Sequence, residues 1–211
     1  MPLFKSVTVP NGLLSVWQIT ESSGELLSFF TPEEMAHPNF QKFTYEKRKV
    51  EWLAIRALLK QMIGSSFEVS YSEIGKPILN HPVYHHISIS HSRDFAAVFI
   101  HQHQSVGIDI ESTARNYAAV KQRYLSETEL EQVSESTVLQ CLYWCAKEAV
   151  FKLVEEDGVD FRKQIEVITL DQEHKIFFAR YFSGNHEITY QLQYSTFKHH
   201  CMVWVCSQPS M

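Results

Sequence analysis

The sequence predicts an α+β fold, with helices packed on mainly antiparallel sheets. Three observations lead there: short strands with period-two alternation, two long helical stretches at Tyr45–Ile63 and Thr137–Leu153, and an order in which helix is followed by runs of strands in each half of the chain. The 211 residues suffice for one large domain or two small ones with real cores. Hydrophobic content of 45% with 20% charged residues is that of an ordered globular chain.

The elements follow in order. Leu3–Val9 and Leu13–Ile19 read as two short strands joined by Pro10-Asn11-Gly12. Helical stretches are expected at Gly24–Phe30 and Tyr45–Ile63. In the latter, Val50, Leu53, Ala54, Ala57, Leu58 and Gln61/Met62 fall on one stripe, and Gly64 ends it. Lys49 and Arg56 lie seven apart on a face away from that stripe, and Lys47, Arg48 and Lys60 add to the basic character of the segment. Ile74-Gly75-Lys76-Pro77 is a turn signal that carries a cation. Strands are expected near Phe67–Tyr71, Ile87–Ser90 and Phe95–His101.

The second half opens with Val106-Gly107-Ile108-Asp109-Ile110-Glu111, a clean alternation. Helices are expected near Tyr117–Tyr124, Glu127–Val133 and Thr137–Leu153, and Asp157-Gly158 breaks the chain. Strands Ile165–Leu170, Lys175–Phe182, Glu187–Tyr194 and Met202–Cys206 complete it.

Two of these segments carry chemistry. Along the Val106–Glu111 strand the three aliphatic residues point one way, so Gly107, Asp109 and Glu111 point the other. Two residues of strand rise is about 6.7 Å, so the two carboxylates can share a hard cation. In the helix, Trp144-Cys145-Ala146-Lys147-Glu148-Ala149-Val150-Phe151-Lys152 puts Glu148 and Lys152 four apart on one stripe. Mg²⁺ is normally held by a few carboxylates, several waters and phosphate oxygens. Asp109, Glu111 and Glu148 supply the carboxylates, and Lys147 and Lys152 could meet the phosphates or take part in proton transfer. Without a cation, three gathered carboxylates would raise one another's pKa.

A third motif is Ile87-Ser88-Ile89-Ser90-His91-Ser92. Its strand ends in hydroxyls, backbone N–H groups and an imidazole, which together can bind a phosphate.

The order G-K-P, S-H-S, G-I-D-I-E, W-C-A-K-E-A-V-F-K, spanning Gly75 to Lys152, closely resembles the 4′-phosphopantetheinyl transferases of the long, two-half Sfp-type branch. Cys145 stands where that family commonly has serine. The resemblance implies two pseudo-duplicated halves, 1–102 and 103–211, with an active site in the cleft between them. It implies transfer of the phosphopantetheine arm of coenzyme A to a serine of an apo acyl or peptidyl carrier protein, releasing 3′,5′-ADP. By motif position, Asp109, Glu111 and Glu148 would hold Mg²⁺ (Mn²⁺ is the alternative) on the pyrophosphate. Lys147 and Lys152 would contact phosphates or help proton transfer. Ser90 and His91 would bind the 3′-phosphate, with Arg48 and Arg56 carried over from the basic helix. Gly75, Lys76 and Pro77 would line the adenine pocket. Glu129, Glu148 and Lys147 are rival bases for the carrier serine.

The rest of the chain sets limits. A net charge of −5 argues against general nucleic-acid binding. No run of eighteen apolar residues exists to span a membrane, and Met1–Pro10 does not read as a targeting segment. Cys141, Cys145, Cys201 and Cys206 form no C-x-x-C motif; Cys141 and Cys145, four apart on the expected helix, read as core thiols, and the chain reads as reduced and cytoplasmic. None of the eleven histidines stands at the spacing of a zinc site. A monomer is expected, since one chain carries both halves. Two alternatives remain: a metal-dependent phosphodiesterase or nuclease, and a non-catalytic carrier-protein binder.

Overall fold

The computed structural model describes residues 3–36, 43 and 45–207. Its strands are β1 (Leu3–Val9), β2 (Gly12–Gln18), β3 (Glu68–Tyr71), β4 (Pro77–Asn80), β5 (His86–His91), β6 (Phe95–His101), β7 (Val106–Ser112), β8 (Ile165–Asp171), β9 (Ile176–Ser183), β10 (His186–Phe197) and β11 (His200–Cys206). Its helices are α1 (Ser23–Leu27), α2 (Pro32–Met35), α3 (Glu46–Ile63), α4 (Lys121–Tyr124), α5 (Glu127–Val133), α6 (Thr137–Val154) and α7 (Phe161–Gln164). The fold is α+β, with two sheet-rich halves. A four-stranded sheet runs β1-β2-β6-β5, a five-stranded sheet runs β7-β11-β10-β9-β8, and β3-β4 form a separate hairpin. Among the described residues, all the strand pairings are antiparallel.

Strand alternation sorts the apolar side chains into layers. On the four-stranded sheet, Leu14, Val16, Phe95, Ala97 and Phe99 meet Val106, Ile108, Ile110, Met202 and Trp204 of the five-stranded sheet. The opposite face of the first sheet, through Trp17, Ala96, Val98 and Ile100, packs on α3. The opposite face of the second, through Phe177, Leu192, Val203 and Val205, packs on α6. The order is therefore helix, sheet, sheet, helix, and each long helix covers the outer face of its own sheet.

The two sheets also meet at an edge. The Ile108 N–H donates to Ser88 Oγ at 3.1 Å and the Ile110 N–H to Ser90 Oγ at 3.2 Å. Two serines with period two on β5 thus satisfy the free amides of β7, which would otherwise be buried without acceptors.

Some elements differ from the sequence reading. The G-K-P segment is the turn of the β3–β4 hairpin, where Gly75 has φ +81° and donates to Ser72 O at 2.9 Å. Strand β4 was not expected, because it is four residues long and begins with a proline. Of Tyr117–Tyr124 only α4 is helical, and β10 extends beyond the expected Glu187–Tyr194. No helix among the described residues is long and apolar enough to cross a membrane.

Candidate functional site

The site begins with the close packing of α6 on β7. Helix α6 starts at Ser136, whose hydroxyl accepts from the Leu139 N–H, and stops at Glu155 in the left-handed region with φ +64°. It crosses β7 at Gly107, where a Cβ would lie 2.9 Å from the carbonyl carbon of Ala149. The missing side chain lets the helix axis come close enough for Glu148 and Lys152 to reach the carboxylates of the strand.

Lys152 Nζ donates to Asp109 Oδ1 at 2.8 Å and to Ile108 O at 3.0 Å. The adjacent carboxylate holds the Lys152 ammonium above its ordinary pKa despite burial. Ser90 Oγ donates to the same Asp109 Oδ1 at 2.8 Å, while Asp109 Oδ2 is buried without a hydrogen-bond partner. Glu111 is bound by Arg115 Nη1 at 2.7 Å. Burial first, and then the Asp109 charge, push the carboxyls of Glu111 and Glu148 up to about 7 each. Three carboxylates therefore face one region and repel.

Among the described residues, no group of three His, Cys, Asp or Glu side chains is gathered tightly enough to hold a metal ion by itself. The donor chemistry still suits a hard divalent cation, which needs few protein oxygens when waters and phosphates complete its shell. The unpartnered Asp109 Oδ2 and the raised carboxyls are where such a charge would be accommodated.

Three cavities adjoin this centre. One of about 250 Å³ is lined by Gly75, Lys76, Pro77, Ser88, Phe151 and Lys152. A second, of about 570 Å³, shares Lys76 and Pro77 and adds His86, Ser105 and Glu155. Lys76 and Glu155 form an ion pair that joins the hairpin of the first half to the end of α6. The third, of about 690 Å³, is lined by Arg48, Glu51, Trp52, Tyr71 and His91.

The structure brings together Asp109, Glu111, Glu148 and Lys152, seats Gly75, Lys76 and Pro77 beside Lys152, and places Arg48 and His91 on one cavity. Three expected residues are buried in pairings of the interior, and a fourth, Ser90, is bound to Asp109 at the centre itself. Lys147 is fully buried, donating to Glu129 Oε2 at 2.7 Å, to Phe161 O at 2.8 Å and to Ile165 O. Glu129 is equally committed: it also accepts from the Ser126 N–H at 2.8 Å, closing the cap of α5, and from the Val167 N–H at 2.8 Å. In this structure the pair ties α5 and α6 to β8.

Arg56 is the third. Only 7% of it is exposed, and its guanidinium stacks on Trp52 with 3.5 Å to the ring centroid. The β3–β4 hairpin adds Val69 and Leu79 to the core around α3. Burial lowers the Arg56 pKa to about 10, partly offset by Tyr71. The expected cationic face thus loses Arg56 to the interior. Ser90 is the fourth: its hydroxyl donates to Asp109 and accepts from the Ile110 amide, while the neighbouring His91 lines the third cavity.

Sequence reasoning passed over Arg115, Glu155 and Glu51. Glu51 and Arg115 carry a visible signal, being three or four residues from Lys47, Arg48 or Glu111. The Glu155–Lys76 pair spans too much chain to show in sequence.

Comparison with known proteins points to one superfamily. Residues 105–207 match the model of the 4′-phosphopantetheinyl transferase superfamily. A curated relative, 4′-phosphopantetheinyl transferase AcpT of Salmonella typhimurium, is 30% identical over 112 residues. That alignment covers 50% of this chain and 58% of the relative, so the chain spans little more than half the length of the curated relative it matches. The segment that resembles this superfamily holds Asp109, Glu111, Glu148 and Lys152.

Proposed function

We propose that this protein transfers the 4′-phosphopantetheine arm of coenzyme A to a serine of an apo carrier protein, releasing 3′,5′-ADP. The observation that carries the reading is the meeting of Asp109, Glu111, Glu148 and Lys152 where α6 crosses β7 at Gly107. In the reaction, the serine oxygen forms a bond to the β-phosphorus, the bond from that phosphorus to the 3′,5′-ADP oxygen breaks, and the serine proton departs to a base. Such transfers depend on positioning and on stabilising charge on the phosphate oxygens.

Each group has a role in this reading. Asp109, Glu111 and Glu148 would hold Mg²⁺ or Mn²⁺. When bound, the cation supplies charge stabilisation to the pyrophosphate. Lys152, fixed by Asp109, presents its ammonium to the phosphates. Gly75, Lys76 and Pro77 offer a wall to the adenine, and Arg48 and His91 receive the 3′-phosphate. Glu148 is the candidate base that lies at the site, since Lys147 and Glu129 are paired in the interior. The halves 1–102 and 103–211 contribute the nucleotide side and the metal side of the cleft. The chain acts as a monomer of the Sfp-type branch in the cytoplasm, on carriers of fatty acid, polyketide or nonribosomal peptide synthesis.

The test is intact-mass spectrometry of apo acyl or peptidyl carrier proteins incubated with this protein, coenzyme A and Mg²⁺. One added phosphopantetheine, abolished by EDTA, is the expected result. No addition on any carrier, together with no coenzyme A binding, would overturn the reading.

A further inference from the structure

The cavity beside His91 contains a carboxylate that the proposed reaction does not use. Glu51 lies on α3 and is 5% exposed. Around it stand Arg48 Nη1 at 3.5 Å, Lys47 Nζ at 3.7 Å and His91 Nδ1 at 3.5 Å. The first two come from the preceding turn of the same helix, and His91 comes from the end of β5. The side chains of Lys47 and Arg48 are largely exposed, and loose surface cations of this kind gain little from any single pair. Glu51 is a buried acceptor on which all three converge. A buried carboxylate is costly unless it is paired, so its place in the wall of a cavity calls for an account.

We propose that Glu51 is a positioning residue. It holds Arg48 and His91, which line the cavity, in the arrangement offered to the 3′-phosphate of coenzyme A, with Lys47 as a further ion-pair partner, and so sets the preference for the 3′-phosphorylated over the dephosphorylated nucleotide. The inference rests on the coenzyme A reading above. Glu51 does not touch the phosphate, and its own charge opposes an anion. If it acted only as a charge, its neutralisation would tighten anion binding. If it orders the cations, neutralisation weakens binding, because three flexible groups must then be gathered by the ligand itself. The two accounts give opposite signs.

The experiment is calorimetric titration of the full chain with coenzyme A and with dephospho-coenzyme A, in Mg²⁺, for wild type, Glu51→Gln and Glu51→Asp. Glu51→Gln is expected to weaken coenzyme A about tenfold, the worth of one charge-assisted contact, and to leave dephospho-coenzyme A unchanged. Glu51→Asp keeps the charge but withdraws it by one methylene. It is expected to show a smaller loss with the same selectivity, and it carries the test alone if the Gln variant does not fold. Tighter binding, equal loss for both nucleotides, or no change overturns the proposal. Wild type that binds neither nucleotide, or both equally, instead overturns the placing of the 3′-phosphate in this cavity, and the role of Glu51 with it.

Discussion

The backbone of Gly107 on β7 lies directly beneath the carbonyl of Ala149 on α6, with no room for a side chain between them. This contact sets the separation of strand and helix, and hence the distance from which Glu148 and Lys152 face Asp109. Gly107→Ala is expected to destabilise the protein by about 3 kcal/mol, the upper end for overpacking a tight interior. For a chain of this size that lowers Tm by roughly 6–12 °C. Thermal melts would check it, and an unchanged Tm would mean that the helix can shift freely on the strand.

Lys152 and Ser90 both donate to Asp109 Oδ1. Lys152→Met removes the ion-pair partner of buried Asp109, to which Ser90 still donates, so it should lower stability without preventing folding, and it should reduce turnover about 10²-fold, as loss of a preorganised charge at a transferring phosphate does. Single-turnover transfer to an apo carrier measures this directly. Turnover within a few-fold of wild type would remove Lys152 from the phosphate contacts.

The β7 carboxylates and the Glu148–Lys152 stripe were legible in the sequence because two periodicities fix them. Alternation puts Asp109 and Glu111 on one face of a strand, and a four-residue spacing puts Glu148 and Lys152 on one face of a helix. Lys147 shows the limit of those periodicities: it adjoins Glu148 in sequence but is turned about 100° around the helix axis, toward Glu129 and β8. Nothing local reveals which side of a helix a neighbouring α5 and β8 will cover. Arg56 is a parallel case, since the unread β4 hides the hairpin that encloses it. Ser90 was seen as a polar strand end, but its use as an acceptor for a β7 amide depends on how two sheet edges meet, and single-strand patterns carry no such information.

The buried Lys147–Glu129 pair makes a prediction that separates structure from catalysis. Removing one member leaves an uncompensated interior charge, so Lys147→Met should cost roughly 3–5 kcal/mol. Lys147→Met combined with Glu129→Gln should recover part of that loss, because the remaining group is neutral, and only part, because its one carbonyl oxygen can accept from just one of the Ser126 and Val167 amides, which donate to separate oxygens of Glu129. Denaturant melts of the single and double variants test this. A Lys147→Met protein that is fully stable yet inactive would return Lys147 to the reaction.

Glu111 and Glu148 link the site to pH. Their folded pKa of about 7 lies above the ordinary value of 4.5, mainly through burial and then through Asp109. Between those two values the metal-free folded state holds protons that the unfolded chain has released. Stability must therefore fall as pH rises through that window, and these groups favour the fold most at its acid end. A divalent cation favours the ionised carboxyls, so its binding expels the protons and strengthens as pH rises. The expected outcome is a metal-free Tm that declines from pH 5 to pH 8, and a Mg²⁺-induced rise in Tm that is larger at pH 8 than at pH 6. Calorimetry in two buffers of different ionisation enthalpy would count the released protons. A Mg²⁺ response independent of pH, with no proton release, would mean that these two carboxyls do not receive the metal. Asp109→Asn supplies the control: with the central charge gone, both carboxyls should titrate lower and the metal-free decline should move to lower pH.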